Sequence, residues 1–262
     1  MPVPTHSGAA AFFSGRRLHP SDACACLTLA REVRGANPVR LTGMETHKVD
    51  PMNDSKGHIL GTAMGVDFEV RTWSPADAVV DLSIACMFSA ESPGTSLSGG
   101  LLHLDDRLGG ALTELRSARI FGAAPMETLL ITSPPATIRA GQVLVVGLGD
   151  MTALTSDLLR QAAATSMAAA IRIGAKTAAF APSLLDSGHV ENAGLSAPSA
   201  MLRGAIEGLD LQCRLRRQRL SALDIPRRWT FDAGVATFDR ALSEFGNSFD
   251  ALFGASKNGR RT

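Results

Sequence analysis

An α/β domain built on a mixed, largely parallel sheet is the fold class predicted by the 262-residue sequence. Two observations carry the prediction. Short apolar runs of strand length alternate with longer stretches whose apolar residues recur every three or four positions. The runs at 79–88 and 143–146 are uninterrupted, as in strands covered by helices on both faces.

Residues 1–60 stand apart from this pattern. They mix Gly, Pro, Ser, His and Arg with little apolar periodicity outside Ala23–Val33, and are read as an arm outside the core or an over-extended start, with Met44 and Met52 as candidate first residues. The folded domain is expected over 62–253, followed by a flexible basic tail at 254–262. Val66, Phe68 and Val70 alternate with Asp67, Glu69 and Arg71, which predicts a strand with one wet face at an antiparallel edge. After Ser74-Pro75 comes the buried strand 79–88, then a Gly/Ser-rich loop over 91–100. A single helix is expected over 105–119, with Leu108, Leu112 and Leu115 on one stripe and Asp105 and Asp106 in its first turn, where carboxylates suit the helix dipole. Strands at 128–131 and 143–146 follow, the second running into Gly147-Leu148-Gly149. An alanine-rich helix at 156–173 and a strand at 177–181 come next, then a helix at 199–208 and strands at 209–215 and 229–231. A last amphipathic helix places Val235, Phe238, Leu242, Phe245, Phe249 and Leu252 at helical spacing.

Composition narrows the function. A net charge of +1 excludes a generally basic nucleic-acid binder, and with 5% aromatic residues and no Tyr there is little material for stacking single-stranded bases. Cys24, Cys26, Cys86 and Cys213 fit no zinc spacing and read as free thiols of a reducing compartment. No apolar run reaches the roughly 20 residues that span a bilayer, and the amino terminus lacks the shape of an export signal, so cytoplasm is the expected location.

Individual motifs are weak. Gly147-Leu148-Gly149 follows a strand, but Thr152 takes the third glycine position of a dinucleotide fingerprint, which favours an ordinary turn. The 91–110 segment offers Ser98, Gly99, Gly100, Gly109 and Gly110, whose bare amides suit a phosphate. The loop after the 177–181 strand carries Asp186, His189 and Glu191, and His103 lies near Asp105 and Asp106 as a candidate base. Arg214, Arg216, Arg217 and Arg219, followed by Arg227 and Arg228, form the strongest charge feature, a candidate anion or partner patch, with Arg214 and Arg216 expected on one face of a strand.

Taken together, the order of Asp105, Gly109-Gly110, the Pro125-Met126-Glu127-Thr128 turn and Gly147-Leu148-Gly149 resembles the N-terminal domain of the leucyl (cytosol) aminopeptidase family. The resemblance implies a three-layer α/β/α, macro-domain-like fold over about residues 66–253. The catalytic domain of that family holds two metals and carries an Asn-Thr-Asp-Ala-Glu-Gly-Arg signature, which occurs nowhere in this sequence. The reading is therefore a non-catalytic, regulatory or binding module with no cofactor, no metal and no catalytic residue.

The resemblance also implies a nucleotide-type small ligand at Ser89, Ser98, Gly99, Gly100, Asp105, Gly109 and Gly110, with Ser183, Asp186, Ser187 and Gly188 from the second loop. The alternatives are an ADP-ribose-type hydrolase using Asp105, Asp106 or Asp186 as base, an accessory subunit of a separately encoded aminopeptidase, or a DNA-contacting regulator. Candidate partners are a second copy of the chain or an aminopeptidase-like chain. Nucleic acid is not favoured, and no membrane is expected.

Overall fold

In the computed structural model, residues 55–90, 97–182 and 196–254 are described. They form seven strands and five α-helices around one sheet. β1 (Gly57–Ala63) and β2 (Val66–Arg71) make an antiparallel hairpin. β3 (Leu82–Ala90) leads to α1 (Gly99–Arg107) and α2 (Ala111–Ser117). β4 (Thr128–Ile131) and β5 (Gln142–Asp150) precede α3 (Ser156–Ile173). β6 (Thr177–Ala181), α4 (Ala197–Arg217), β7 (Arg228–Asp232) and α5 (Phe238–Phe253) complete the order.

The sheet order is β1-β2-β7-β6-β3-β5-β4. The five central strands are parallel, and β1 and β4 close the edges antiparallel. Alternate residues of the central strands feed two separate cores, as strand geometry requires. Leu82, Ile84 and Cys86 of β3 pack with Leu144 and Val146 of β5 beneath α3, α4 and α5. Ala85, Met87, Val143 and Val145 face the other way, beneath Leu101 and Leu104 of α1 and Leu112 of α2. The three-layer α/β/α fold, with its mixed and largely parallel sheet, is thus the one expected.

Several local expectations need correction. The sheet starts at Gly57, inside the stretch read as an arm, because Gly61 and the bulge between Ile59 and Gly61 blur the alternation of β1. β1 takes the edge expected for the Val66 strand, and β2 lies inside the sheet, parallel to β7. The face of β2 expected to be wet is half-buried at Asp67 and Arg71 and buried at Glu69. Glu69 is 2% exposed and accepts hydrogen bonds from Thr230 Oγ1 (2.7 Å) and Arg71 Nε (3.0 Å).

The single helix at 105–119 is two. Gly109 (φ +69) and Gly110 (φ +83) adopt the left-handed region and turn the chain between α1 and α2, so Asp105 ends one helix and caps the next. The strand expected at 209–215 is the continuation of α4, which runs unbroken for 21 residues. Its apolar run, read with period two, serves a helix whose inner face buries Leu209 and Gln212 while Leu211 points to solvent.

Candidate functional site

From β3 the chain crosses one face of the sheet, through α1 and α2, to β5. From β6, the strand beside β3, it crosses the opposite face through α4 to β7 on the other side. Connections that leave neighbouring parallel strands in opposite directions open a crevice at their carboxyl ends, where open α/β sheets bind ligands. Both loops singled out in the sequence leave from this crevice, one after β3 and one after β6.

α3 and α4 both start at this end of the sheet, and their first turns enclose an open cleft of about 370 Å³ lined by Ser156, Asp157, Arg160, Ser196, Ser199 and Arg203. Tight packing of the two helices holds the cleft's shape. A Cβ on Gly204 would lie 2.0 Å from the Arg160 carbonyl oxygen, and one on Gly208 would lie 2.9 Å from that of Ala164, so the backbones touch because these positions lack side chains. Arg160 donates to Asp157 Oδ1 (3.0 Å from Nε) and to Glu207. These bonds hold the Asp157 carboxyl below its usual range and keep the guanidinium charged. Arg203 is exposed at the rim and has no hydrogen-bond or ion-pair partner among the described residues. At the end of β5, Asp150 accepts from the Thr152 amide and hydroxyl, both at 2.8 Å, which lowers its pKa. Asp232, 6% exposed, closes β7 and accepts from the Gly234 amide at 3.1 Å.

The residues picked from the sequence are divided by the structure. Ser89 lies exposed near the end of β3, and Ser98, Gly99 and Gly100 open α1, so these four belong to the crevice end. Ser183, Asp186, Ser187 and Gly188 lie outside the described residues, as do His189 and Glu191. Asp105, Gly109 and Gly110 go elsewhere. The end of α1 is anchored by Arg107, which reaches Asp77 and the Thr137 carbonyl in the segments leading into β3 and β5. The Gly109-Gly110 turn is therefore at the opposite end of the sheet.

Asp105 is 4% exposed, and both its oxygens are engaged. Oδ1 accepts from the Leu112 amide at 2.8 Å, and Oδ2 accepts from Thr113 Oγ1 at 2.5 Å. It holds the start of α2. His103 pairs with neither Asp105 nor Asp106; its Nδ1 lies 3.2 Å from Ser74 Oγ and 3.7 Å from Asp77. Arg214, Arg216, Arg217 and Arg219 gather on the last turn of α4 and the residues after it, not on a strand face.

Sequence reasoning missed Arg160, Arg203 and Asp232. An acidic residue closing a buried strand signals the last of these; the two arginines face one cleft only because α3 and α4 pack side by side. Among the described residues no group of three or more His, Cys, Asp or Glu is placed to hold a metal ion, and no helix is long and apolar enough to cross a membrane.

The fold is a three-layer α/β/α domain with a mixed, largely parallel sheet. Residues 90–219 match the sequence model of the cytosol aminopeptidase family, N-terminal domain, so the resemblance carried by Asp105, Gly109-Gly110, Glu127-Thr128 and Gly147-Leu148-Gly149 holds. Among solved structures, a tomato leucine aminopeptidase variant superposes with TM-score 0.51 at 18% identity, covering 70% of this chain and 35% of that one. That likeness shows the fold, and the chain spans about a third of the length of the tomato enzyme. An Oceanobacillus iheyensis macrodomain with ADP gives TM-score 0.49 at 12% identity over 77% of this chain and 98% of that one. The bottromycin maturation enzyme BotP gives TM-score 0.38 at 24% identity, covering 63% and 29%. No curated protein matches the chain in sequence.

Proposed function

We propose that this chain is a non-catalytic binding module that takes a nucleotide-type, phosphate-bearing ligand at the carboxyl ends of β3 and β6. One observation carries the reading: neighbouring parallel strands send their connections to opposite faces, which opens a crevice with helix N-termini at its mouth. The exposed cation of Arg203, and serines at the starts of α1, α3 and α4, supply the chemistry a phosphate needs. In this reading Ser89 and the Ser98-Gly99-Gly100 segment belong to the same site, as do Ser183, Asp186, Ser187 and Gly188, which follow β6 in the sequence. A hydrolase based on Asp105 is disfavoured, because that carboxylate is buried and bound to α2.

Calorimetry with ADP and ADP-ribose tests the proposal. We expect measurable heat, and an Arg203→Ala variant that binds roughly tenfold more weakly, the worth of one charge-assisted contact. Absence of heat at millimolar ligand overturns the reading.

A further inference from the structure

The opposite end of the molecule carries a second surface. α3 and α4 start together at the crevice and therefore finish together at the far end, where β6 and β7 begin. Arg214, Arg216, Arg217 and Arg219 lie there, with Arg227 and Arg228 on the segment entering β7; all six are exposed. These groups form one patch. The amides of Arg227 and Arg228 both donate to the Lys176 carbonyl, and Lys176 Nζ bonds Asp224 at 2.8 Å. Asp224 also lies in the field of Arg216 and Arg227. Gln212 ties α4 to the returning loop through Ser221 Oγ (2.8 Å) and the Leu223 carbonyl (3.1 Å). Among the described residues the carboxylates paired with this group are Asp210 and Asp224, so a net positive charge is left.

Favourable placement at a helix C-terminus explains cations in the last turn of α4. It does not explain two further features. Large aliphatic side chains stand exposed among the arginines: Leu211 at 58%, Leu220 at 70% and Leu223 at 43%. In addition, Arg219 occupies a left-handed backbone position (φ +59) where glycine is the unstrained choice. Its amide donates to the Arg216 carbonyl and the next amide, of Leu220, to that of Leu215, the paired bonds that end a helix in this way.

We propose that this end docks an acidic protein segment bearing aliphatic side chains. Arginine around exposed leucine is the composition of a protein interface, in which arginine is enriched and lysine depleted. Among the described residues the exposed large apolar groups are all aliphatic, so bases find no stacking platform, and the chain's net charge of +1 gives no long-range pull on a polyanion. The surface is distinct from the nucleotide crevice and stands whether or not that crevice binds.

The test uses the full chain and fluorescence anisotropy. The probes are a labelled 16-residue Glu/Leu peptide, the same peptide with Leu replaced by Gln, a 20-base-pair duplex, and vesicles of phosphatidylserine and phosphatidylcholine. The Glu/Leu peptide is expected to bind most tightly. Its affinity should fall more than tenfold in the R216E/R219E double variant and about fivefold in Leu220→Ser, with unchanged circular dichroism. Arg219→Gly should weaken binding several-fold while raising Tm by about 2 °C. Arg119→Gly is the control. Arg119 sits at the same kind of left-handed helix end (φ +57) after α2, so this variant should raise Tm and leave binding alone. Equal or tighter binding of the leucine-free peptide, the duplex or the vesicles overturns the proposal, as does the absence of peptide binding.

Discussion

Single residues explain why the motifs of this chain occur together. Gly147 has no room for a side chain: a Cβ there would sit 2.1 Å from the Ala124 carbonyl oxygen. That closeness lets the Met126 amide donate to the Gly147 carbonyl and the Gly147 amide to that of Glu127. Glu127 Oε2 in turn accepts from the Ala124 amide at 2.9 Å, and Gly149 (φ +72) packs against Pro125. The Glu-Thr turn and the Gly-Leu-Gly strand are thus two halves of one contact, and the glycines are accounted for by packing. Asp105 is the other residue of this kind. Asp105→Ala should cost about 2 kcal/mol in denaturant unfolding, because it strips a buried cap from α2, while Asp105→Asn, which retains an acceptor, should cost less. Equal losses for the two variants would reject the capping role.

Among the elements, the pair α3 and α4 governs the candidate site. Arg160 and Arg203 share a cleft only while Gly204 lies against the Arg160 carbonyl. Gly204→Ala should therefore cost about 3 kcal/mol, measured by urea unfolding, since backbone on one side and the buried Ala163 on the other leave nothing to give way. A loss below 1 kcal/mol would mean the helices separate easily. The loop after α4 yields a prediction about acid. Lys176 holds the Asp224 carboxyl below its usual range through a hydrogen bond and their opposite charges. A carboxylate whose pKa is depressed on folding stabilises above its ordinary value near pH 4, and the benefit disappears as pH falls through the lowered value. Tm measured from pH 6 to pH 2.5 should drop more for the natural chain than for Asp224→Asn; parallel curves would contradict this. The effect is modest, because the pair is exposed.

Across the whole molecule, legibility follows the range of the interactions. Strands covered on both faces, such as 143–146, and the helix 156–173 were readable because their apolar pattern reflects local geometry. β1 was not, since a bulge and Gly61 break its alternation, and neither was the division of α1 from α2, which depends on left-handed glycines closing a turn against a buried Asp105. The segments after β3 and β6 stand out in the sequence for their serines, glycines and charged residues, yet nothing local says that they follow adjacent strands whose connections cross opposite faces of the sheet. From composition and periodicity alone came the α/β class, the near-neutral charge and the two-faced burial of the central strands, because each depends on which residue types stand near one another along the chain. Strand order, the crevice between β3 and β6 and the meeting of Arg160 with Arg203 in one cleft were settled only in three dimensions. They join residues tens of positions apart, whose meeting follows from the right-handed crossings of the sheet and the close approach of two helices.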